Sequence, residues 1–225
     1  MRWLSVVLAV VGVWMFANEA VTAGPPFPLK PKLEFDGSSP YAMMVFEAGP
    51  QTITRDWNIK VYAFDPDTRA WQYSPLKGWA IFTKIRAQPE GTSFHAALVS
   101  PAGTYAVSSL STQGFWSACF NNGTKAFQLQ AGKVNYVGLL DPKPVLEKIF
   151  TELPDKTRQK QLFLFDTPRV ALTPPAQREN WQADVASFIK ERFPKVTAPI
   201  VAAEPMEATF EPGKSMLVGK ICEKY

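Results

Sequence analysis

The 225 residues carry 24 Lys and Arg against 20 Asp and Glu, a formal charge of +4. The basic residues are scattered, so the chain lacks the stripe of positive charge that a nucleic-acid partner requires. One histidine and two cysteines are too few nitrogen and sulfur ligands for a zinc site, while a hydrophobic content of 46% is enough for a substantial core.

Arg2 precedes an apolar run from Trp3 to Phe16, shorter than a bilayer span but of the usual length for a signal-peptide core. Asn18 and Glu19 interrupt it, and Val21-Thr22-Ala23 then offers the small residues a signal peptidase reads, which places the cut after Ala23. No cysteine follows the run, so there is no lipid-accepting residue; the alternative to cleavage is an uncleaved N-terminal anchor. The expected location is periplasmic or secreted, with no membrane span after signal cleavage. The expected organisation is a signal peptide over 1–23, a Pro-rich tether over 24–32, a β-sandwich over 33–140, and a helical C-terminal portion with a returning strand over 141–225, packed on the sandwich.

The tether, GPPFPLKPK, is too rich in proline to form a core of its own. Beyond it short strands follow one another. Tyr41 to Glu47 is apolar almost throughout, as a buried strand is, and Ile59 to Phe64 alternates. Asp65-Pro66-Asp67-Thr68 has the composition of a type I turn. Further strands are expected at 78–86, 93–100, 104–110 and 134–140. Regular short strands with turn signals between them predict a mainly β fold, an antiparallel sandwich with Ig-like or transthyretin-like packing. Asn122-Gly123 predicts a two-residue hairpin that sets Ala118 opposite Phe127 and Trp116 opposite Leu129, and Ala131-Gly132 predicts the next turn.

After Asp141 the pattern becomes helical. Asp141-Pro142 reads as the cap of a short helix, and Leu162 to Phe165 as a short strand. Thr173-Pro174-Pro175 reads as the start of the strongest helix, with Trp181, Val185, Phe188 and Ile189 as its apolar stripe and Pro194 as its end. Ser215 to Cys222 reads as a last strand.

Chemistry-bearing residues are sparse. His95 falls on a predicted strand, on the face shared by Ala97 and Val99, with no nucleophile or carboxylate partner identifiable from spacing. No nucleophile elbow, metalloprotease motif, C-x-x-C pair or Gly-rich phosphate loop is present, so neither catalytic residues nor a cofactor nor a metal is assigned. Asp65 and Asp67 offer too few oxygens for calcium, and the turn accounts for them. Cys119 and Cys222 in an oxidising compartment suggest one disulfide. Closing a loop of about 100 residues would contribute up to about 4.7 kcal/mol in the chain-entropy model; two separate buried thiols are the alternative. Trp57, Tyr62, Trp71, Tyr73 and Trp79 fall close together in sequence. Such rings either form a platform for a glycan or peptide or fill the core of an aromatic-rich sandwich.

The runs Pro101-Ala102-Gly103-Thr104-Tyr105, Phe115-Trp116-Ser117-Ala118-Cys119 and Phe127 to Gly138 (FQLQAGKVNYVG) resemble a PAGTY…W..C…GKV.YVG pattern of uncharacterised exported bacterial envelope proteins of the DUF2846-like type. The resemblance covers about residues 95 to 140 and rests on turn glycines and core aromatics. It implies a β-sandwich related to carboxypeptidase-regulatory-like domains and carries over no functional residue. Many such proteins are lipoproteins, whose lipid-accepting cysteine this chain lacks. The function expected from these readings is an exported, non-catalytic binding or structural module of the bacterial cell envelope, its partner an envelope protein or a glycan. The alternatives are an envelope enzyme built around His95 with acids such as Asp65, Asp67 or Asp166, and an assembly or secretion accessory that offers a sheet edge.

Overall fold

The computed structural model of the protein describes residues 29–49, 57–72, 81–85, 94–112, 116–120, 123–145, 162–167 and 171–209. Among them the chain is mainly β, with strands arranged in two sheets. The expected signal peptide, the start of the tether and the strand at 215–222 lie outside the described residues.

The first sheet is organised by β1 (Tyr41–Ala48), which is buried along nearly its whole length. A strand reads as a continuous apolar run when both of its faces are covered. On one edge β1 pairs antiparallel with β5 (Phe94–Pro101), and on the other it pairs parallel with β9 (Val134–Asp141). The far edge of β9 takes two short strands from the C-terminal part of the chain: β12 (Ile200–Ala202) in parallel at its start, and β11 (Ala171–Thr173) antiparallel at its end.

The second sheet is built on β2 (Trp57–Asp65) and β6 (Gly103–Thr112), which pair antiparallel. Beyond β2 lie β4 (Ile81–Ile85) and β3 (Ala70–Trp71). The other edge of β6 takes β8 (Gly123–Leu129) and β7 (Trp116–Phe120) end to end. Outside those come β13 (Met206–Thr209) on β8 and, in parallel, β10 (Leu162–Thr167) on β7.

Two apolar cores follow from the alternation of β1. Ala42, Met44, Phe46 and Ala48 meet Ile59 and Val61 of β2, Val107 and Leu110 of β6, and Phe127 and Leu129 of β8 in a core shared by both sheets. Met43 and Val45, with Val134 and Tyr136 of β9, turn the other way and meet α1 (Trp181–Arg192) through Val185 and Ile189, with Phe193 and Phe35. Each fully buried side chain of this kind contributes about 2 kcal/mol. Leu29 and Leu33 also pack on the second core, so the chain is docked from the end of the Pro-rich tether onward.

Several expectations need correction. The sheets are mixed rather than antiparallel, with parallel pairs β1–β9, β9–β12 and β7–β10. An apolar run that is buried on both faces carries no signal of its neighbour's direction. The hairpin at Asn122-Gly123 does not form in the expected register: Ala118 faces Leu110 and Phe127 faces Tyr105, because both flanking strands pair with β6 instead of with each other. The helical C-terminal portion is minor. Among the described residues after Asp141, residues 143–145, a short 3-10 turn at Pro175–Gln177 and α1 are helical, and the remaining elements are β10 to β13. Thr173 ends β11 rather than capping a helix, because it pairs with Leu139; α1 starts at Trp181, after Asn180 in a left-handed conformation. Its predicted apolar stripe and its end before Pro194 are as expected.

Two buried details hold β9 in place. The Asn135 side chain donates to the carbonyls of Met43, Gln130 and Lys133 and accepts from the Gln130 N–H, so it is buried with its polar atoms used. It closes the predicted turn at Ala131-Gly132. Between Tyr136 and Leu139, β9 carries one residue more than β1 does between Val45 and Glu47, a bulge that contains Gly138 at φ +113°. A Cβ there would stand 2.1 Å from the Thr173 carbonyl oxygen, so glycine lets β11 approach. Gly138→Ala is expected to destabilise the protein by about 2 kcal/mol or more. Gly37→Ala, where a Cβ meets nothing within 4 Å, should change stability by less than about 0.5 kcal/mol. Urea unfolding midpoints of the two variants check this contrast; equal midpoints would remove the close approach as a constraint.

Candidate functional site

A cleft of about 320 Å³ opens where the β2–β3 hairpin meets the β5–β6 turn and the end of β8. On one side β2 ends at Asp65, whose Oδ1 accepts the N–H groups of Asp67 at 2.9 Å and Thr68 at 3.2 Å. This is the predicted Asp-Pro turn, completed by Arg69 at φ 54°. Hydrogen bonds from Thr68, and then from Asp67, hold the Asp65 carboxyl below its ordinary pKa. Past the turn, Gln72 lines the cleft, its N–H donating to the Ala63 carbonyl at 2.9 Å.

The other side is set by the pairing of β6 with β8. Thr104 and Gln128 are register partners, and the Thr104 hydroxyl donates to Gln128 Oε1 at 2.6 Å. At the turn before β6, the Tyr105 hydroxyl donates to the Pro101 carbonyl at 3.0 Å, which braces the loop. Pro66, Pro101 and the buried rings of Phe64 and Tyr105 supply the apolar part of a mostly polar lining. What this arrangement offers is hydrogen bonding in fixed directions next to small apolar surfaces, the usual composition of a small-ligand site. Among the described residues no three His, Cys, Asp or Glu side chains converge as metal ligands.

Of the five aromatic residues expected to form a platform, the structure brings two together. Tyr62 is buried and Trp71 half-buried, their rings edge to face at 6.3 Å, and Trp71 also meets Phe64 at 5.2 Å. Burial raises the pKa of the Tyr62 hydroxyl. Trp71 packs on the shared core and is next in the chain to the cleft residue Gln72. Trp57 starts β2, whereas Tyr73 and Trp79 lie outside the described residues. Cys119 sits on β7 opposite Ser109; Cys222 lies outside the described residues, and the disulfide with it.

Sequence reasoning missed Gln72, Thr104 and Gln128. Thr104 and Gln128 meet only because β8 pairs with β6, and the expected β7–β8 hairpin pointed elsewhere. No local signal marks a glutamine as a lining residue, so only the pairing reveals them.

His95 lies on the opposite side of the first sheet, beneath α1, on the face predicted for it. Its register partner is Glu47, which is 5% exposed. Glu47 accepts from Arg178 Nη2 through both oxygens, at 2.9 and 2.7 Å, and from the Tyr136 hydroxyl at 3.4 Å. From the helix, Phe188 stacks on the His95 ring at 5.4 Å and Trp181 on Tyr136 at 5.1 Å. Burial pushes the His95 pKa down; Glu47 and Asp184 raise it, and Arg178 lowers it further. The Tyr136 hydroxyl is pushed up to about 12, by burial first and then by the Glu47 charge. The acids expected to accompany His95 are placed differently: Asp65 and Asp67 belong to the β2–β3 turn of the second sheet and Asp166 to β10. With Glu47 bound to Arg178 and the imidazole covered by Phe188, the cluster seats α1 on the sheet.

No family model matches the chain, and no curated protein matches it. Among solved structures, a leucine-rich repeat protein from Bacteroides thetaiotaomicron is similar over 46% of this chain and 14% of its own length, at 14% identity and a TM-score of 0.28. Among the described residues no helix is long and apolar enough to cross a bilayer.

Two expectations follow for the seat of α1. Arg178→Met leaves the buried Glu47 without its guanidinium and should cost about 3 kcal/mol, most of which Glu47→Leu in the same chain should restore. Additive losses in a double-mutant cycle would show that the pair is not coupled. Because the folded pKa of His95 lies below its ordinary 6.5, the unfolded chain binds the extra proton. The contribution of neutral His95 is complete above that value and is lost as pH falls from there toward the folded pKa. The urea midpoint of the parent should therefore fall on acidification through this window, and His95→Phe should flatten the decline.

Proposed function

We propose that the protein is an exported, non-catalytic binding module of the bacterial cell envelope, and that it holds a small polar ligand in the cleft between the β2–β3 hairpin and the β5–β6 turn. The observation that carries this reading is the Thr104–Gln128 hydrogen bond at the cleft wall, which orients an exposed side-chain amide that the core does not use. The Asp65 turn and the Tyr105–Pro101 brace support it, since both stiffen the walls before a ligand arrives. Export rests on the apolar run from Trp3 to Phe16 and the small residues ending at Ala23. The core shared by the two sheets supports a sandwich-like packing, and kinship to DUF2846-type envelope proteins rests on the PAGTY…W..C…GKV.YVG pattern alone.

Fragment screening by NMR tests the site. Small polar fragments should shift the signals of Gln72, Thr104 and Gln128, and Gln72→Leu with Gln128→Leu should abolish those shifts. Both glutamines are exposed, so the double variant should keep its stability to within about 0.5 kcal/mol. Fragments that settle elsewhere and leave these residues unmoved would overturn the proposal.

A further inference from the structure

We infer that the ligand of this cleft is a neutral carbohydrate. The inference rests on the cleft being the binding site and goes further by naming what the site accepts.

Charge comes first. Among the described residues that line the cleft there is no Lys, Arg or His, and there is one carboxylate, Asp65. A phosphate, sulfate or carboxylate ligand would face that charge with no cation to offset it, and such ligands are normally held by charge-assisted bonds. An anionic ligand is therefore disfavoured at the rim.

Hydrogen-bonding directions come second. Because Gln128 Oε1 accepts the Thr104 hydroxyl, the amide turns its NH₂ group away from Thr104 as a donor, while the Thr104 oxygen keeps capacity to accept. Gln72 brings a second amide, with one donor and one acceptor end, and Asp65 brings a carboxylate. Neighbouring hydroxyls on a sugar ring each donate and accept, so they match a wall where donors and acceptors alternate. Pro66 and Pro101 give apolar surface for the C–H face of the ring. At about 320 Å³ the cleft is at the small end of ligand sites, which suits a short saccharide.

A peptide is the competing class, and the topology argues against it. Sheets usually take an extended peptide by adding it as a strand to an open edge. Along the cleft β6 is taken by β8 from Gly103 to Ala106 on one side and by β2 from Tyr105 to Val107 on the other, so only Gly103 and Thr104 lie beyond the β2 pairing, too short a stretch for an added strand. The site therefore offers side chains in place of a free backbone ladder.

The test titrates the full-length protein with three probe classes and follows the Gln72, Thr104 and Gln128 signals by NMR: neutral disaccharides (maltose, cellobiose, diacetylchitobiose), an uncharged tetrapeptide (tetra-alanine amide, N-acetylated), and an acidic sugar (glucuronic acid). At least one neutral disaccharide should move all three residues, and Gln128→Leu should weaken it about tenfold or more. Asp65→Asn, which preserves the turn, should improve glucuronic acid binding relative to the parent. Cleft shifts with the peptide or only with the acidic sugar would overturn the carbohydrate inference and leave the binding site standing. Cleft residues that respond to none of the probes would overturn the inference, and if the fragment screen also leaves them unmoved, the site falls with it.

Discussion

The fold depends on one constraint: β1 has a core on each side, and a strand gives each residue no choice of face. Alternate positions supply Ala42, Met44, Phe46 and Ala48 to one core and Met43 and Val45 to the other. The same alternation directs Glu47 to the helix side, where it is nearly out of water. A carboxylate there is costly unless it is paired. Arg178, just before α1, supplies the charge, and the Trp181 and Phe188 rings close over Tyr136 and His95. The docking of the helix is thus tied to the polarity of a single position in β1.

The second sheet shows how ends of strands become available for another task. β6 is long enough to take β7 and β8 in succession on one edge while β2 occupies the other. Its middle is spent on packing. Its first residues lie beyond the core, beside the turn that leaves β2, and there Thr104, Gln128, Gln72 and Asp65 gather in a cleft with polar walls. The fixed groups are held by contacts made inside the protein, by the Asp65 turn and the Tyr105 brace. A rigid frame beneath exposed polar side chains is the general arrangement of a binding site.

Much of the element content was legible from residues. The buried strand at Tyr41, the turn at Asp65-Pro66, the turn at Ala131-Gly132 and the apolar stripe of α1 all follow from local patterns of apolarity and from turn chemistry. The face of His95 followed from alternation. The partner of each strand did not. Asn122-Gly123 is a strong local signal for a hairpin, yet the strands on either side gain more by extending along β6, because that edge buries Phe127 and Leu129 in the shared core. Thr173 followed by two prolines resembles a helix start, but the bulge at Gly138 lets it pair with β9 instead.

The sequence by itself determined where most of the described strands and turns lie and which side chains are apolar enough to be buried, since these depend on residues a few positions apart. Only the tertiary structure decided strand order, the parallel pairings, the meeting of Glu47 with Arg178 across 131 residues, and that of Thr104 with Gln128 across 24. The physical reason is that backbone pairing is nearly indifferent to side-chain identity. The choice among possible partners is made by the burial that each arrangement achieves over the whole chain.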